Sequence, residues 1–248
     1  MSAIPKMWIE LVAVFAILFL AALTKATLGF GESLLAIPLL TLVIGIQTAV
    51  PLIALIAATV TLLLLVWNWQ QIDLAATWHL LIAAVVGIPV GVWGLTALPV
   101  AWVTATLGVV LIGVGGYNLW QPTWRGLQNP RWIYPFGFLA GILGGAYNMS
   151  SPPVLIYGAI RRWSPDHFRV TMQGFFLPVS LLILLSHASA GLWTRQVLWL
   201  YVAAWPVMLG AFWLGNRFAQ RVAPERLRSL LYGALIVLGA TLLLRALW

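Results

Sequence analysis

Long apolar runs alternate with short polar breaks along the whole chain. A first run from about Trp8 to Ala26 meets a glycine-rich break, "GFGES", and a shorter run follows from Ser33 to about Ile44. Three full-length runs come next, Val50–Trp67, Trp78–Leu98 and Trp102–Leu119, and then a polar linker, "WQPTWRGLQNPRW". Beyond it the plan repeats: Ile133–Gly145, a break at "AYNMSSPP", a short run Val154–Ile160, and full-length runs at Val170–Ser186, Val197–Phe218 and Leu227–Leu247. A bilayer-spanning helix takes about 20 mostly apolar residues, which the full-length runs match and the two short ones do not. None of the runs shows the alternation of a barrel strand. The expected fold class is an all-α polytopic membrane protein.

The two halves share one plan: a helix, a break, a short helix and three spanning helices. "PLIALIAATVTLLLLVW" answers "VTMQGFFLPVSLLILLS", Pro89-Val90 answers Pro206-Val207, and "LGVVLIGVGG" answers "YGALIVLGAT", in the same order. A duplicated unit follows, with a first repeat over residues 1–119, a cytoplasmic linker over 120–131 and a second repeat over 132–248. Arg125, Arg131, Arg161, Arg162, Arg169, Arg217, Arg221, Arg226 and Arg228 all fall in the linker, the loop after Ile160 or the loop before the last run. By the positive-inside rule that face is cytoplasmic, which leaves both termini, with Lys6 and Arg245, outside. A broken-helix hairpin plus three spans is an odd number of crossings, so the second repeat is inverted relative to the first. The hairpin with "GFGES" then enters from outside and the one with "YNMSSPP" from the cytoplasm. Interrupted segments at matching places in two halves point to a transporter's substrate site.

Composition narrows the class. The chain of 248 residues is 62% hydrophobic and 7% charged, whereas soluble domains are about a quarter charged. The absence of cysteine excludes disulfides and thiolate metal sites, and three scattered histidines form no ligand cluster, so no cofactor and no metal is expected. The net charge of +8 sits in short loops, where arginine sets orientation and meets lipid headgroups, so the bilayer and not nucleic acid is the expected partner. The N-terminal run lacks a small-residue cleavage site and reads as a retained helix. Trp8, Trp67, Trp69, Trp78, Trp120, Trp124, Trp132, Trp163, Trp193 and Trp199 fall near helix ends and are assigned to the interfacial belts. Glu10, Asp73, Asp166, Glu225, His79, His167 and His187 lie at or near helix ends and are expected to be solvated, and Met149 is assigned to packing.

The breaks carry the chemistry. Backbone leaves a helix at membrane depth only where protein or water satisfies its polar groups. Gly29 and Gly31 permit such a turn, and Ser33 is the expected N-cap of the short helix that follows. In the second half Ser150 or Ser151 is the expected cap, with Pro152-Pro153 in the first turn. Two helix N-termini aimed at one point make an anion site, whereas small residues at a break also serve plain helix packing. Lys25 and Glu32 put charges in the membrane interior, which costs at least ~2.5–3.5 kcal/mol on insertion scales and marks a partner or a water-filled path. Lys25 supplies positive charge for an anion, and Glu32 is a candidate proton-coupling group. A structural ion pair between the two is the equally weighted reading. Asn148, Thr171 and Gln173 are candidate cavity-lining donors.

"GFGESLLAIPLL" resembles the first signature of the TauE/SafE sulfite-exporter family, and "GILGGAYNMSSPPVLIYG" is similar to its second. "FRVTMQGFF" is similar to the Phe-Arg-x-Thr segment that follows in that family. The resemblance covers essentially the whole chain through the repeat plan. It implies an inner-membrane carrier of small sulfur-containing anions such as sulfite or sulfoacetate, with no catalytic residues. Two departures make the site more polar: Glu32 where that family commonly has glycine, and Asn148 to Ser151 in place of a glycine-rich turn. The expected substrate-binding set is Lys25, Gly29, Gly31, Ser33, Asn148, Ser150, Ser151 and Gln173, with Glu32 for proton coupling. A carrier of small carboxylates and a membrane-embedded enzyme acting on a lipid-linked substrate are the alternatives. Direction of transport, and monomer against homodimer, stay open.

Overall fold

The computed structural model describes residues 3–28, 31–68, 77–120, 129–163, 165–218 and 224–247. Gly29, Trp69, Asp73, Arg125, Trp124 and Arg221 lie outside the described residues. Among the described residues the chain is all helical, in ten α-helices: α1 (Ala3–Leu28), α2 (Glu32–Ile44), α3 (Ile46–Asn68), α4 (Trp78–Ala97), α5 (Val100–Trp120), α6 (Ile133–Tyr147), α7 (Ser151–Ile160), α8 (Pro165–Ser189), α9 (Arg195–Phe218) and α10 (Pro224–Leu247). Every apolar run of the sequence is one helix. Segments of α1, α4, α5 and α10 are long and apolar enough to cross a membrane, and the protein is a multi-spanning membrane protein. At 1.5 Å per residue α2 rises about 20 Å and α7 about 15 Å, too little to span a ~30 Å hydrocarbon core alone.

The helices form two compact units that each draw on both halves of the sequence. One comprises Met1–Leu52, Pro99–Gln121 and Thr194–Trp248, the other Ile53–Leu98 and Pro122–Trp193. In the first unit α1 packs on α2 and α9, and α10 packs on α5 and α2. Val197, Leu200, Ala204 and Ala211 give α9 a buried stripe at helical spacing.

In the second unit α4 and α6 make the principal pairing, and α8 packs on both. Leu80, Ala84, Ile88 and Val92 of α4 recur every four residues and meet Ala140, Val154, Met172, Phe175, Val179 and Ile183 in one core. The helices approach so closely because the crossing is lined by glycine. A β-carbon on Gly87 or Gly91 would lie 2.3 Å or 2.2 Å from the carbonyl oxygens of Phe138 and Ile142. One on Gly137, Gly141 or Gly145 would lie 2.7, 2.3 or 2.3 Å from those of Leu80, Ala84 and Ile88. Small residues four apart on both helices are the pattern that lets backbones touch in membranes, where the hydrophobic effect does not drive helices together. The contact order also fixes direction. Gly137 sits by Leu80 and Gly145 by Ile88, so α4 and α6 run parallel.

Candidate functional site

The first break is a left-handed turn between α1 and α2. Gly31 precedes α2 at φ +96°, a conformation that costs an L residue about 1–2 kcal/mol and glycine little. It is the cap residue in place of the expected Ser33, which falls one turn position inside the helix, after Glu32. The reason is backbone geometry: the boundary residue is left-handed, a conformation that glycine adopts and serine disfavours. A β-carbon on Gly31 would meet Leu231 of α10 at 3.3 Å and Thr24 at 3.7 Å, so the turn is also closely covered.

Across this turn the Lys25 ammonium donates to the Glu32 carboxylate. The side chains are 12% and 17% exposed, so the pair is largely withdrawn from solvent. Each charge matches the helix end that carries it. Lys25 lies in the last turn of α1, where free carbonyls point, and Glu32 lies in the first turn of α2, where free N–H groups point. The first break therefore pairs an ammonium from a helix C-terminus with a carboxylate from a helix N-terminus.

The second break is built without charge. Asn148 ends α6 in a left-handed conformation, φ 50°, which asparagine tolerates better than most residues. Its N–H donates to the Gly144 carbonyl at 2.7 Å, and the Met149 N–H donates to the Leu143 carbonyl at 3.0 Å. Ser150 is the residue before α7, as expected, although its side chain makes no capping bond there. It is buried, and its hydroxyl reaches into the space that a β-carbon on Gly144 would take, at 2.2 Å. Ser151 opens α7 with Pro152 and Pro153 in its first turn.

Chain adjacency thus gathers Asn148, Ser150 and Ser151 at one break and Lys25, Gly31, Glu32 and Ser33 at the other, each break in its own unit. Gln173 lies on α8, fourteen residues before His187, or about 21 Å along the helix. Thr171 is fully buried, and its hydroxyl has no hydrogen-bond partner among the described residues.

A second expectation is overturned at α8. His187 is not solvated: it is 0% exposed, and its Nε2 lies 2.8 Å from the carbonyl oxygen of Gly145 at the end of α6. It stands near the end of α8, but that end packs on α6 instead of facing water, and a one-dimensional pattern carries no sign of this. Glu10 is exposed as expected, and His79 is half-buried against Trp78 with ring centroids 3.7 Å apart. Trp8, Trp78, Trp120, Trp132, Trp193 and Trp199 are exposed, Trp163 is half-buried edge-on to Tyr157, and Met149 is buried. The glycine seam of α4 and α6 was present in the sequence as Gly87, Gly91, Gly137, Gly141 and Gly145, and their four-residue spacing is the signal that would have paired the two helices.

Comparison with known proteins places these features in context. Residues 14–242 match the family profile described as "Sulfite exporter TauE/SafE". A probable sulfite/organosulfonate exporter TauE of Cupriavidus necator is 28% identical over 235 residues, with 88% of this chain and 88% of that protein covered. No solved structure matches the chain.

Proposed function

The chain belongs to the sulfite exporter TauE/SafE family, a family of membrane transporters and not of enzymes, and from that premise we propose that it is a secondary carrier of small sulfur-containing anions. Sulfite or a sulfonate such as sulfoacetate crosses the inner membrane by alternating access, with Glu32 as the proton-coupling group. The observation that carries the reading is the Lys25–Glu32 pair, in which a resident carboxylate on the first residue of α2 holds an ammonium. An arriving anion takes that place and displaces Glu32. The displaced carboxylate binds a proton, because an isolated negative charge beside a bound anion in the membrane interior is costly. With a monoanion such as hydrogen sulfite bound, lysine, anion and neutral acid then leave the break without excess charge.

The packing supports two inverted repeats over 1–119 and 132–248, each led by a re-entrant hairpin. Both ends of α2 lie against α10: Gly31 faces Leu231, and the Leu42 carbonyl accepts from the Arg245 guanidinium at 2.8 Å. Hence α2 runs parallel to α10 and returns to the side where α10 ends. If α1 to α5 correspond to α6 to α10, the first helix of each repeat packs on its own second helix and on the fourth helix of the other repeat, as α1 does on α2 and α9 and α6 does on α7 and α4. By the positive-inside rule the arginine-rich loops support a cytoplasmic linker face with the termini outside. Lys25, Gly29, Gly31 and Ser33 are the anion-binding candidates of the first repeat, and Asn148, Ser150, Ser151 and Gln173 those of the second.

Purified protein in liposomes tests this with labelled sulfite and sulfoacetate. A pH gradient should drive accumulation in the native protein, and Glu32→Gln should bind the anion and lose the dependence on the gradient. If neither anion binds or moves under any gradient, the substrate class is wrong. Gradient-driven transport by Glu32→Gln at the native level would remove Glu32 from coupling. Because the resident group is itself a carboxylate, a small carboxylate such as acetate is the second reading, and preferential transport of acetate in the same assay would favour it.

A further inference from the structure

The break at Asn148 leaves a carbonyl of α6 without its helical partner. In an uninterrupted helix the Met149 N–H would donate to the Gly145 carbonyl, but it donates to Leu143 instead. The Nε2 of His187, 42 residues away in sequence, stands 2.8 Å from that carbonyl. A carbonyl only accepts, so Nε2 carries the hydrogen, and in a neutral ring Nδ1 is then an acceptor. Nδ1 is enclosed and has no partner among the described residues.

The surroundings hold the ring in that neutral form. Of the helices packed on α8, α4 carries His79 as its ionisable residue, at the opposite end from the Val92 that adjoins Gly145, and α6 carries Tyr134 and Tyr147. On α8 itself Asp166, His167 and Arg169 precede His187 by eighteen residues or more, about 27 Å along the helix. A second proton on Nδ1 would face no carboxylate on any of these elements.

We propose that His187 is the positioning residue of the second break: as a neutral, Nε2-protonated imidazole it binds the Gly145 carbonyl, fastens the end of α6 to α8, and thereby sets the backbone of Asn148, Met149 and Ser150. This inference rests on the reading of that break as an anion-binding element. Lining residues alone would not hold such a turn, because the carbonyl it exposes needs a donor and no water-filled route is required when His187 supplies one. The residue acts through the backbone it fixes and does not touch the anion.

Labelled sulfite uptake into liposomes measures the effect. His187→Gln brings a carboxamide nitrogen to the place of Nε2 and should keep KM within about threefold of the native value. His187→Ala leaves the carbonyl bare and should raise KM by about tenfold or more, with a smaller change in kcat. An alanine variant with native KM, or a glutamine variant as impaired as alanine, would overturn the proposal. Should the alanine variant fail to fold, the ring nitrogens of the native protein decide by nitrogen-15 NMR. Protonated Nε2 with bare Nδ1 at neutral pH supports the assignment, and the reverse tautomer or a doubly protonated ring overturns it. Native protein that binds no sulfite would instead overturn the carrier reading, and the NMR result stands apart from that outcome.

Discussion

The two breaks solve the same problem by different physics. At the first, the turn is glycine at φ +96° and the flanking helix ends are tied by a lysine–glutamate pair. At the second, the turn is asparagine at φ 50°, no ionisable side chain lies between Tyr147 and Tyr157, and a histidine from another helix satisfies the backbone. The first break carries two opposite charges, and in the proposed carrier it is the one that exchanges its resident carboxylate for an anion. The second has no charge to change and is anchored by packing. In the proposed carrier, response belongs to the first and the fixed frame to the second.

The largest expected effect tests the frame. Gly141→Ala places a β-carbon 2.3 Å from the Ala84 carbonyl, a backbone contact that no rotamer relieves. It should lower stability by about 3 kcal/mol or more, because overpacking at a rigid crossing forces the helices apart. Gly113→Ala, on α5 with nothing within 4 Å of the new carbon, is the matched control and should unfold with the native protein. Thermal unfolding in detergent compares the two. Equal midpoints would mean that the α4–α6 seam is not the rigid element that anchors the second break.

That seam marks where sequence reading succeeded and where it stopped. The spans were legible because membrane helices declare themselves by length and apolarity, and α2, α4 and α5 fall within a few residues of their expected bounds. The Lys25–Glu32 pair was legible because two charges inside an apolar segment have few other places to go. The cap at Gly31 was not, since serine propensity competed with the left-handed turn and the turn prevailed. His187 was misjudged for another reason. Its position near a helix end implies solvent only if no neighbouring helix covers that end, and such cover is tertiary information.

The next effect separates a working charge pair from a structural one. Lys25→Ala leaves Glu32 without its ammonium in a site where both side chains are under one-fifth exposed. Loss of one partner of a fully buried pair costs about 3–5 kcal/mol, and the residual exposure here brings the expected cost to about 1–3 kcal/mol. The double variant Lys25→Ala with Glu32→Gln should recover part of it. A structural pair ends there. A substrate site also loses sulfite affinity by tenfold or more in Lys25→Ala, and titration calorimetry on the folded double variant should show that the affinity does not return. Recovery of binding with stability would reduce the pair to a staple between α1 and α2.

The smallest effect bears on the two turns themselves. Gly31→Ala should cost about 1–2 kcal/mol from the left-handed backbone alone, and somewhat more because Leu231 stands 3.3 Å from the added carbon. Asn148→Gly makes the opposite exchange at φ 50°, where glycine fits the backbone at least as well, and should change stability by no more than about 1 kcal/mol, the net worth of a side-chain hydrogen bond. Its stability is therefore a baseline against which binding is read. If Asn148→Gly keeps native sulfite affinity, asparagine is present for its backbone alone, and the second break contributes to the site through its fixed turn. If affinity falls several-fold while the unfolding midpoint stays, the carboxamide is a ligand to the anion, and the uncharged break takes part in recognition as directly as Lys25 does.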